Sequence, residues 1–202
     1  WAAVAEGSKV GAEWEPPTFD VERLPAALVA ASLRLCAAIA AADPESPLET
    51  WAGPQPPSWL ARRQAHEVLI HGIDAVLAAG GEPHLPRELG RDGIEEVLEW
   101  HHGPPPSWAE WQPTEAIALV ESDGQGRWRM EFGRLRGTST VTGTDYDLEM
   151  VAAAPDGDTT ATVSAPAGML DLWLWRRVGT DALEVSGDRV LVDRVYAELA
   201  ID

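Results

Sequence analysis

The sequence predicts an α+β protein of two domains, a helical domain over residues 1–106 and a smaller α+β domain over residues 107–202. A chain of 202 residues is long enough for two small domains that each bury a core. The first half contains long stretches rich in Ala and Leu with apolar residues at helical spacing. Beyond "PPPSWAEWQP", short strand-like segments alternate with Gly and Asp turn signals, which places the boundary near residue 107.

The helical half is predicted to contain three helices, over residues 21–43, 59–79 and 90–103. The first ends before "DPESP", and a loop rich in Pro, Gly and Trp follows it. Ser58 stands where the N-cap of the second helix is expected, and Gly80 and Gly81 stand where it would end. Gly103 and three prolines close the third helix.

The second half reads as strands followed by a mixture of helices and a strand. "TEAIALVES", "GRWRMEFG", "YDLEMVA" and "DTTATVSAP" are the predicted strands. "AGMLDLWLWRRV" and "DRVLVDRVYAELA" are predicted helices, joined by a strand-like "ALEVSGD". This order is typical of a small α+β domain.

Charge and composition exclude several classes of protein. A formal net charge of -18, from 33 acidic and 15 basic residues, argues against a nucleic-acid partner, which needs clustered Lys and Arg. We expect no membrane partner, because no apolar run approaches the length of a membrane span. The single cysteine, Cys36, cannot form a disulfide within the chain, which fits a cytoplasmic location. Cys36 lies on a predicted core helix, where an inert, packed thiol is expected.

The helix predicted over 59–79 carries an unusual concentration of charge in "RRQAHEVLIHGIDA". Arg63, Glu67, His71 and Asp74 follow one another at spacings of three or four residues and form one polar stripe. Apolar flanking residues are expected to bury at least part of this stripe. Glu67 and His71 form a natural pair of metal ligands, whereas His66 is five residues before His71 and cannot easily share its metal.

Two interpretations of the stripe remain open at this point. It is either a metal site or a purely structural feature, namely a salt-bridge ladder of Arg63, Glu67 and His71 on a solvated face or a hydrogen-bonded core histidine. A catalytic zinc site normally has three protein ligands. The remaining histidines, any of which could be the third ligand, are His84, His101 and His102.

The motif "WLARRQAHEVLIHGIDA" resembles the signature of the mycothiol-dependent maleylpyruvate isomerase family of actinobacteria. The segment "LDLWLWRRVGTDALEVSGD" resembles that family's C-terminal region, and the two matches span most of the chain from about residue 20 onward. The resemblance implies a portion of a DinB-like four-helix bundle followed by a small sterol-carrier-like α+β domain.

The resemblance also implies roles for individual residues. Glu67 and His71 would be two of three ligands to zinc or another divalent metal. The third would be a histidine upstream of Trp1, so we expect that the chain is truncated by about two helices. The alternative is that this member has lost the full site. The helix's other polar residues, Arg63, Asp74 and His66, would surround the two ligands and orient them.

An arginine near the C terminus is implied to hold the carboxylate of the substrate. Arg177 corresponds to this residue, but Arg176 stands where the family has Gly, so both are kept as candidates for the catalytic arginine. The other interpretation is that both arginines simply end a helix and interact with its dipole.

The function predicted from the resemblance is that of a zinc-dependent enzyme that uses the low-molecular-weight thiol mycothiol. Its reaction would be a cis-trans isomerisation like that of maleylpyruvate, or a related thiol transfer, on a small and carboxylate-bearing substrate. The alternative is a non-catalytic module that binds a ligand or partner, with the bundle as scaffold. In that case Trp173 and Trp175 would line a pocket.

Overall fold

The fold was analysed in a computed structural model, which describes residues 1–7, 18 and 20–199. The chain divides into two compact units, Trp1–Leu69 and Ile70–Asp202. The division falls inside one long helix, Pro57–Ala78, and does not coincide with residue 107, where the sequence predicts the domain boundary. The predicted domain organisation stays a prediction, but the packing of the chain groups its elements differently.

The N-terminal unit contains two helices and a hairpin before the long helix begins. The elements are α1 (Ala2–Ala5), a 3₁₀ turn (Val21–Arg23), α2 (Leu24–Ala41), β1 (Leu48–Thr50), β2 (Gly53–Gln55) and the first part of α3 (Pro57–Ala78). β1 and β2 form an antiparallel ribbon whose turn is held by the hydroxyl of Thr50, which donates to the carbonyl of Gly53 at 2.7 Å. Helix α2 confirms the helix predicted over residues 21–43, but it is two to three residues shorter at each end.

Helix α2 is apolar and mostly exposed, which contradicts the expectation that it is a core helix. Leu28 and Leu33 are each 67% exposed, and Cys36 is exposed as well. By length and composition the segment Val21–Ala41 could cross a membrane, so the expectation that no apolar run has this length was wrong. The same test is passed by core helices and signal sequences, so it establishes no membrane segment.

Helix α3 begins and ends close to its predicted limits. It begins at Pro57, so Ser58 lies within its first turn and is not the residue before it. Gly80 ends the helix with a left-handed backbone, φ +75°. The N–H of Gly81 reaches back to the carbonyl of Val76 at 2.9 Å. This is the glycine C-cap that the sequence predicts.

The second unit is built on a five-stranded sheet, and every predicted strand is present. Its strands are β3 (Glu110–Glu121), β4 (Arg127–Thr138), β5 (Asp145–Ala154), β6 (Ala161–Ala165) and β7 (Glu184–Gly187). They lie in the order β5-β4-β3-β6-β7, with β3 and β6 parallel and the other neighbours antiparallel. Three helices accompany the sheet: α4 (Arg87–Trp100), α5 (Ala167–Leu174) and α6 (Arg189–Glu198).

The core of this unit lies around the central strand β3. Residues 116–119 are buried in succession, which is typical of a strand covered on both faces. Helices α5 and α6 pack against it. Large side chains with almost no exposure fill the space, among them Ile117, Leu119, Met130, Leu170, Trp173 and Leu191.

Helix α4 packs closely on α5, which explains why it joins the second unit although it was predicted to belong to the helical half. Glycines make this approach possible. A Cβ atom on Gly90 would lie 2.5 Å from the backbone nitrogen of Gly168, and one on Gly93 would lie 2.2 Å from a carboxylate oxygen of Asp171. The close packing of α4 on α5 therefore requires glycine at positions 90 and 93.

Candidate metal and substrate site

The polar stripe of α3 lies along the edge of the buried face of the helix. The exposed fraction of its side chains is 3% for Arg63, 39% for Glu67, 68% for His71 and 37% for Asp74. Apolar residues such as Ile70 and Ile73 occupy the buried face itself. The expectation that the flanking residues would bury part of the stripe is confirmed for Arg63, whereas His71 is largely exposed.

The first contact within the stripe is an ion pair of Arg63 with Glu67. Nη2 of Arg63 donates to Oε1 of Glu67 at 2.5 Å, across one turn of the helix. Because Arg63 is almost fully buried, its charge needs such a partner. This contact is compatible with both interpretations of the stripe, since a ladder and an oriented metal ligand each require it.

The second contact joins His71, Asp74 and Arg177, which all belong to the second unit. Nδ1 of His71 lies 3.1 Å from Oδ2 of Asp74. Arg177 donates to the same carboxylate through Nε at 2.8 Å and Nη2 at 2.9 Å, a bidentate pair. The hydrogen bond from Arg177 lowers the pKa of Asp74, partial burial opposes this, and the contact with His71 lowers the pKa further. Asp74 is therefore a stable anion that fixes the His71 ring.

The two candidate arginines point to different neighbours. Arg177 reaches Asp74, and its Nη1 donates to the carbonyl of Trp175 at 2.7 Å. Arg176 instead lies over the ring of Tyr196, 5.4 Å from its centroid. Of the two, Arg177 is the one that lies at the site. Its guanidinium is occupied by Asp74, so a substrate carboxylate would have to compete for it.

Arg176 has a left-handed backbone, φ +57°, which explains the glycine that the resemblance leads one to expect there. The N–H of Arg177 donates to the carbonyl of Leu172 at 2.8 Å and the N–H of Arg176 to that of Trp173 at 2.9 Å. These are the two hydrogen bonds of a Schellman motif, in which this position favours Gly.

Comparison with known families gives a match over residues 2–76, to the model of the mycothiol maleylpyruvate isomerase N-terminal domain. The N-terminal part of this chain is similar to that domain. No curated protein matches the sequence. The matched segment contains all four residues of the polar stripe, so the resemblance of "WLARRQAHEVLIHGIDA" to the family is confirmed. Arg177 lies outside the matched residues.

The family implies a metal, and the described residues supply only part of a site for one. Within residues 1–7, 18 and 20–199, no group of three His, Cys, Asp or Glu side chains is placed to hold a metal ion. Glu67 and His71 are one turn apart on α3 and could contribute two ligands. The described part of the chain therefore does not complete a zinc site.

The remaining histidines do not join this pair in the described structure. His66 is 2% exposed and lies on the buried face of α3. His101 packs edge-on against Trp175, and His84 is exposed. Burial lowers the pKa of His102, although a hydrogen bond with the backbone of Val151 opposes this effect.

Two further expectations concern residues outside the stripe. Trp173 is fully buried, and its Nε1 donates to the hydroxyl of Thr180 at 3.1 Å, while Trp175 is 6% exposed. In the described part of the chain both tryptophans are buried core residues, whereas the binding-module alternative expected them to line a pocket. Cys36 is exposed on α2, so its thiol is not packed in a core.

Sequence reasoning missed one buried ion pair and one long-range contact. Glu121, at the end of β3, has a fully buried side chain that accepts from Nε of Arg87 and, at 2.9 Å, from the N–H of Gly126. Burial raises the pKa of Glu121, but these hydrogen bonds outweigh it and the pKa lies below its usual value. The pair of Asp74 with Arg177 joins residues 103 positions apart, a distance over which local spacing carries no signal.

Proposed function

We propose that the protein is a mycothiol-dependent enzyme of the maleylpyruvate isomerase type, acting on a small substrate with a carboxylate, as a cis-trans isomerase or a related thiol transferase. The contact that carries this proposal is the hydrogen-bonded series His71, Asp74 and Arg177. It begins in the segment that matches the family and ends in the C-terminal part of the chain.

Each residue of the series has a role that follows from its contacts. Asp74 holds Nδ1 of His71, so a metal would be bound through Nε2. Arg177 holds Asp74 in place with two hydrogen bonds, which keeps the carboxylate ionised and its orientation fixed. Glu67, held by Arg63, presents a carboxylate one turn before His71. Together these residues would provide an oriented pair of metal ligands, Glu67 and His71, with Arg63, Asp74 and Arg177 around them.

A zinc ion at Glu67 and His71 would need at least one ligand from outside the described residues. When bound, zinc would stabilise a thiolate at neutral pH, which is the nucleophile that reversible addition to a conjugated cis alkene requires. Arg177 would orient the substrate carboxylate if that group displaced Asp74 from part of the guanidinium. A cytoplasmic location is part of this proposal.

Zinc binding to the purified protein, expressed with its natural N terminus, tests the proposal without an activity assay. We expect the parent to bind about one zinc, and Glu67→Gln and His71→Asn each to weaken binding at least about tenfold. His84→Asn, which removes an exposed histidine elsewhere, is the matched control and should leave binding unchanged. Asp74→Asn should weaken binding about tenfold, because the ring of His71 loses its anionic partner.

Metal content and affinity separate the two interpretations of the stripe. If zinc binds equally to the parent and to Glu67→Gln, the contact of Arg63 with Glu67 is a salt-bridge ladder and the proposal is wrong. If zinc binds as expected, isomerisation of maleylpyruvate with added mycothiol then decides the reaction, with Arg177→Met as the variant that should lose activity even at a zinc concentration that saturates it.

A further inference from the structure

His102 joins the C-terminal end of α4 to β5, a strand at the edge of the sheet. Its carbonyl accepts a hydrogen bond from the N–H of Ala153 at 2.6 Å. Its imidazole forms a hydrogen bond with the backbone of Val151, two residues earlier on the same strand. Its own N–H donates to the carbonyl of Val97 in α4 at 2.9 Å. One residue therefore holds the end of this helix to the sheet through both its main chain and its side chain.

The packing beside this junction is open. A cavity of about 500 Å³ lies between the last turns of α4 and strands β4 and β5, and Pro104 and Ala153 are among the residues that line it. Because apolar packing is interrupted there, the attachment of this end of α4 depends on the hydrogen bonds of His102. The other end of α4 is fixed to α5 by the close approach at Gly90. The C-terminal end can therefore be released while the rest of the helix stays in place.

The ring of His102 lies in a position that suits only its neutral form. The residue is 7% exposed, and its Nε2 has no hydrogen-bond partner among the residues that the structure describes. A neutral imidazole carries a proton on one nitrogen only, so the other can be buried as a bare acceptor. A second proton would place a charged N–H there without an acceptor, which is costly in a buried position.

The charged groups on the elements around His102 do not offset this cost. The carboxylate one turn before it on α4, Glu99, and the nearby carboxylate on β5, Glu149, are both exposed. On α6, which also packs on β5, Arg194 is held by Glu115 at 2.9 Å. β4 places apolar residues opposite this part of β5. Burial lowers the pKa of the ring, and its one backbone hydrogen bond opposes this effect without outweighing it.

The direction of the pH effect follows from these contacts. A released His102 has the usual pKa of 6.5 and takes up a proton below that pH, whereas the buried ring takes one up only at a lower pH. The released state therefore binds more protons, and its share grows as the pH falls below 6.5.

We propose that His102 is an acid-sensitive latch that releases the C-terminal end of α4 from β5. On acidification the ring takes up a proton, leaves its buried position for solvent and draws its own carbonyl away from the N–H of Ala153. The cavity beside the latch then opens to solvent. The latch does not involve the polar stripe of α3, so this proposal and the proposed function do not depend on each other.

Hydrogen exchange of the Ala153 amide, followed by NMR at about pH 7.5 and about pH 5.5, tests the proposal. We expect the protection factor of this amide to fall at least about fivefold on acidification. His102→Asn retains an N–H donor but cannot take up a proton, so its protection factor should change less than about twofold. His84→Asn is the matched control, because it removes an exposed histidine of the same unit and should show the fall seen in the parent.

Two measurements on the parent need no variant. The ring of His102 should titrate below pH 6.5. Ala153 should be less protected at both pH values than Val163 in the inner strand β6, because the latch opens locally. The proposal is overturned if His102 titrates at or above pH 6.5 or if His102→Asn loses as much protection as the parent. Equal protection of Ala153 and Val163 would also overturn it, since the ring would then be released only when the whole unit unfolds.

Discussion

Helices α2 and α4 show opposite relations between composition and burial. α2 contains a single charged residue, Arg34, yet Ala38 is its one buried residue among those described. α4 contains seven charged side chains and still buries six positions, among them Ile94 and Val97. The more polar helix is therefore the better packed one.

The difference follows from periodicity. Most buried residues of α4, namely Gly90, Gly93, Ile94, Val97 and Leu98, recur at spacings of three and four, which defines one face. Its charged residues lie off that face, and all of them except the buried Glu96 are exposed or half-buried. α2 is apolar around its whole circumference, so its sequence selects no face. Overall hydropathy thus indicates that a segment can be buried, whereas periodicity indicates which side of it will be.

The largest expected effect comes from truncating one apolar side chain in each helix. Ile94→Ala should lower the free energy of unfolding by about 3 kcal/mol, because Ile94 is fully buried and its removal leaves a cavity. Leu28→Ala should change it by less than about 0.5 kcal/mol, since Leu28 is 67% exposed. Urea denaturation followed by circular dichroism measures both. Equal losses would show that α2 is covered in solution and that the contrast with α4 is wrong.

The close approach of α4 to α5 predicts the next effect. Gly90→Ala should destabilise the protein by about 2 kcal/mol, because the new Cβ would lie 2.5–2.7 Å from backbone atoms that cannot move independently. Gly72→Ala, in α3, meets nothing within 4 Å and should stabilise the protein by about 0.5–1 kcal/mol. Both substitutions replace Gly with Ala in a helix, so the Tm in thermal denaturation should fall for one and rise for the other. A shift of Tm in the same direction for both would contradict the close packing of α4 on α5.

The buried carboxylate between α4 and β3 gives a prediction that depends on pH. Glu121→Gln should cost about 2 kcal/mol at neutral pH, because Arg87 loses its anionic partner. The pKa of Glu121 lies below its usual value of 4.5, so its contribution is present above that pH and is lost as the pH falls through the lowered pKa.

The difference in stability between the parent and Glu121→Gln should therefore shrink on acidification below 4.5. Urea denaturation at several pH values measures it. Glu88→Gln, on an exposed residue of the same helix, should show a nearly constant difference. A difference that widened with acid would mean that folding raises the pKa of the Glu121 carboxyl instead of lowering it.

The sequence predicts the elements of this fold far better than their packing. All strands of the sheet and helices α2 to α6 lie within a few residues of the expected limits, because turn residues such as Gly80 act locally. The burial of α2 and the placement of α4 beside α5 depend on contacts between distant segments. Spacing within one helix carries no information about those contacts.

The candidate site shows the same limit. The order of Arg63, Glu67, His71 and Asp74 on one side of α3 follows from helical geometry and was predicted. That Arg177 would bind Asp74, and that Arg176 would turn towards Tyr196, depends on how α5 ends. The expected glycine at position 176 was the one available signal, since it indicates a left-handed residue there.

The smallest effect tests that signal directly. Arg176→Gly should stabilise the protein by about 0.5 kcal/mol, because glycine adopts φ +57° without the steric cost borne by other residues, although the contact with Tyr196 is lost. Arg176→Ala loses the same contact and keeps the cost, so it should be less stable than Arg176→Gly by about 1 kcal/mol. Chemical denaturation of the two variants isolates the backbone contribution. Equal stabilities would show that the left-handed backbone at position 176 has no steric cost for residues other than glycine.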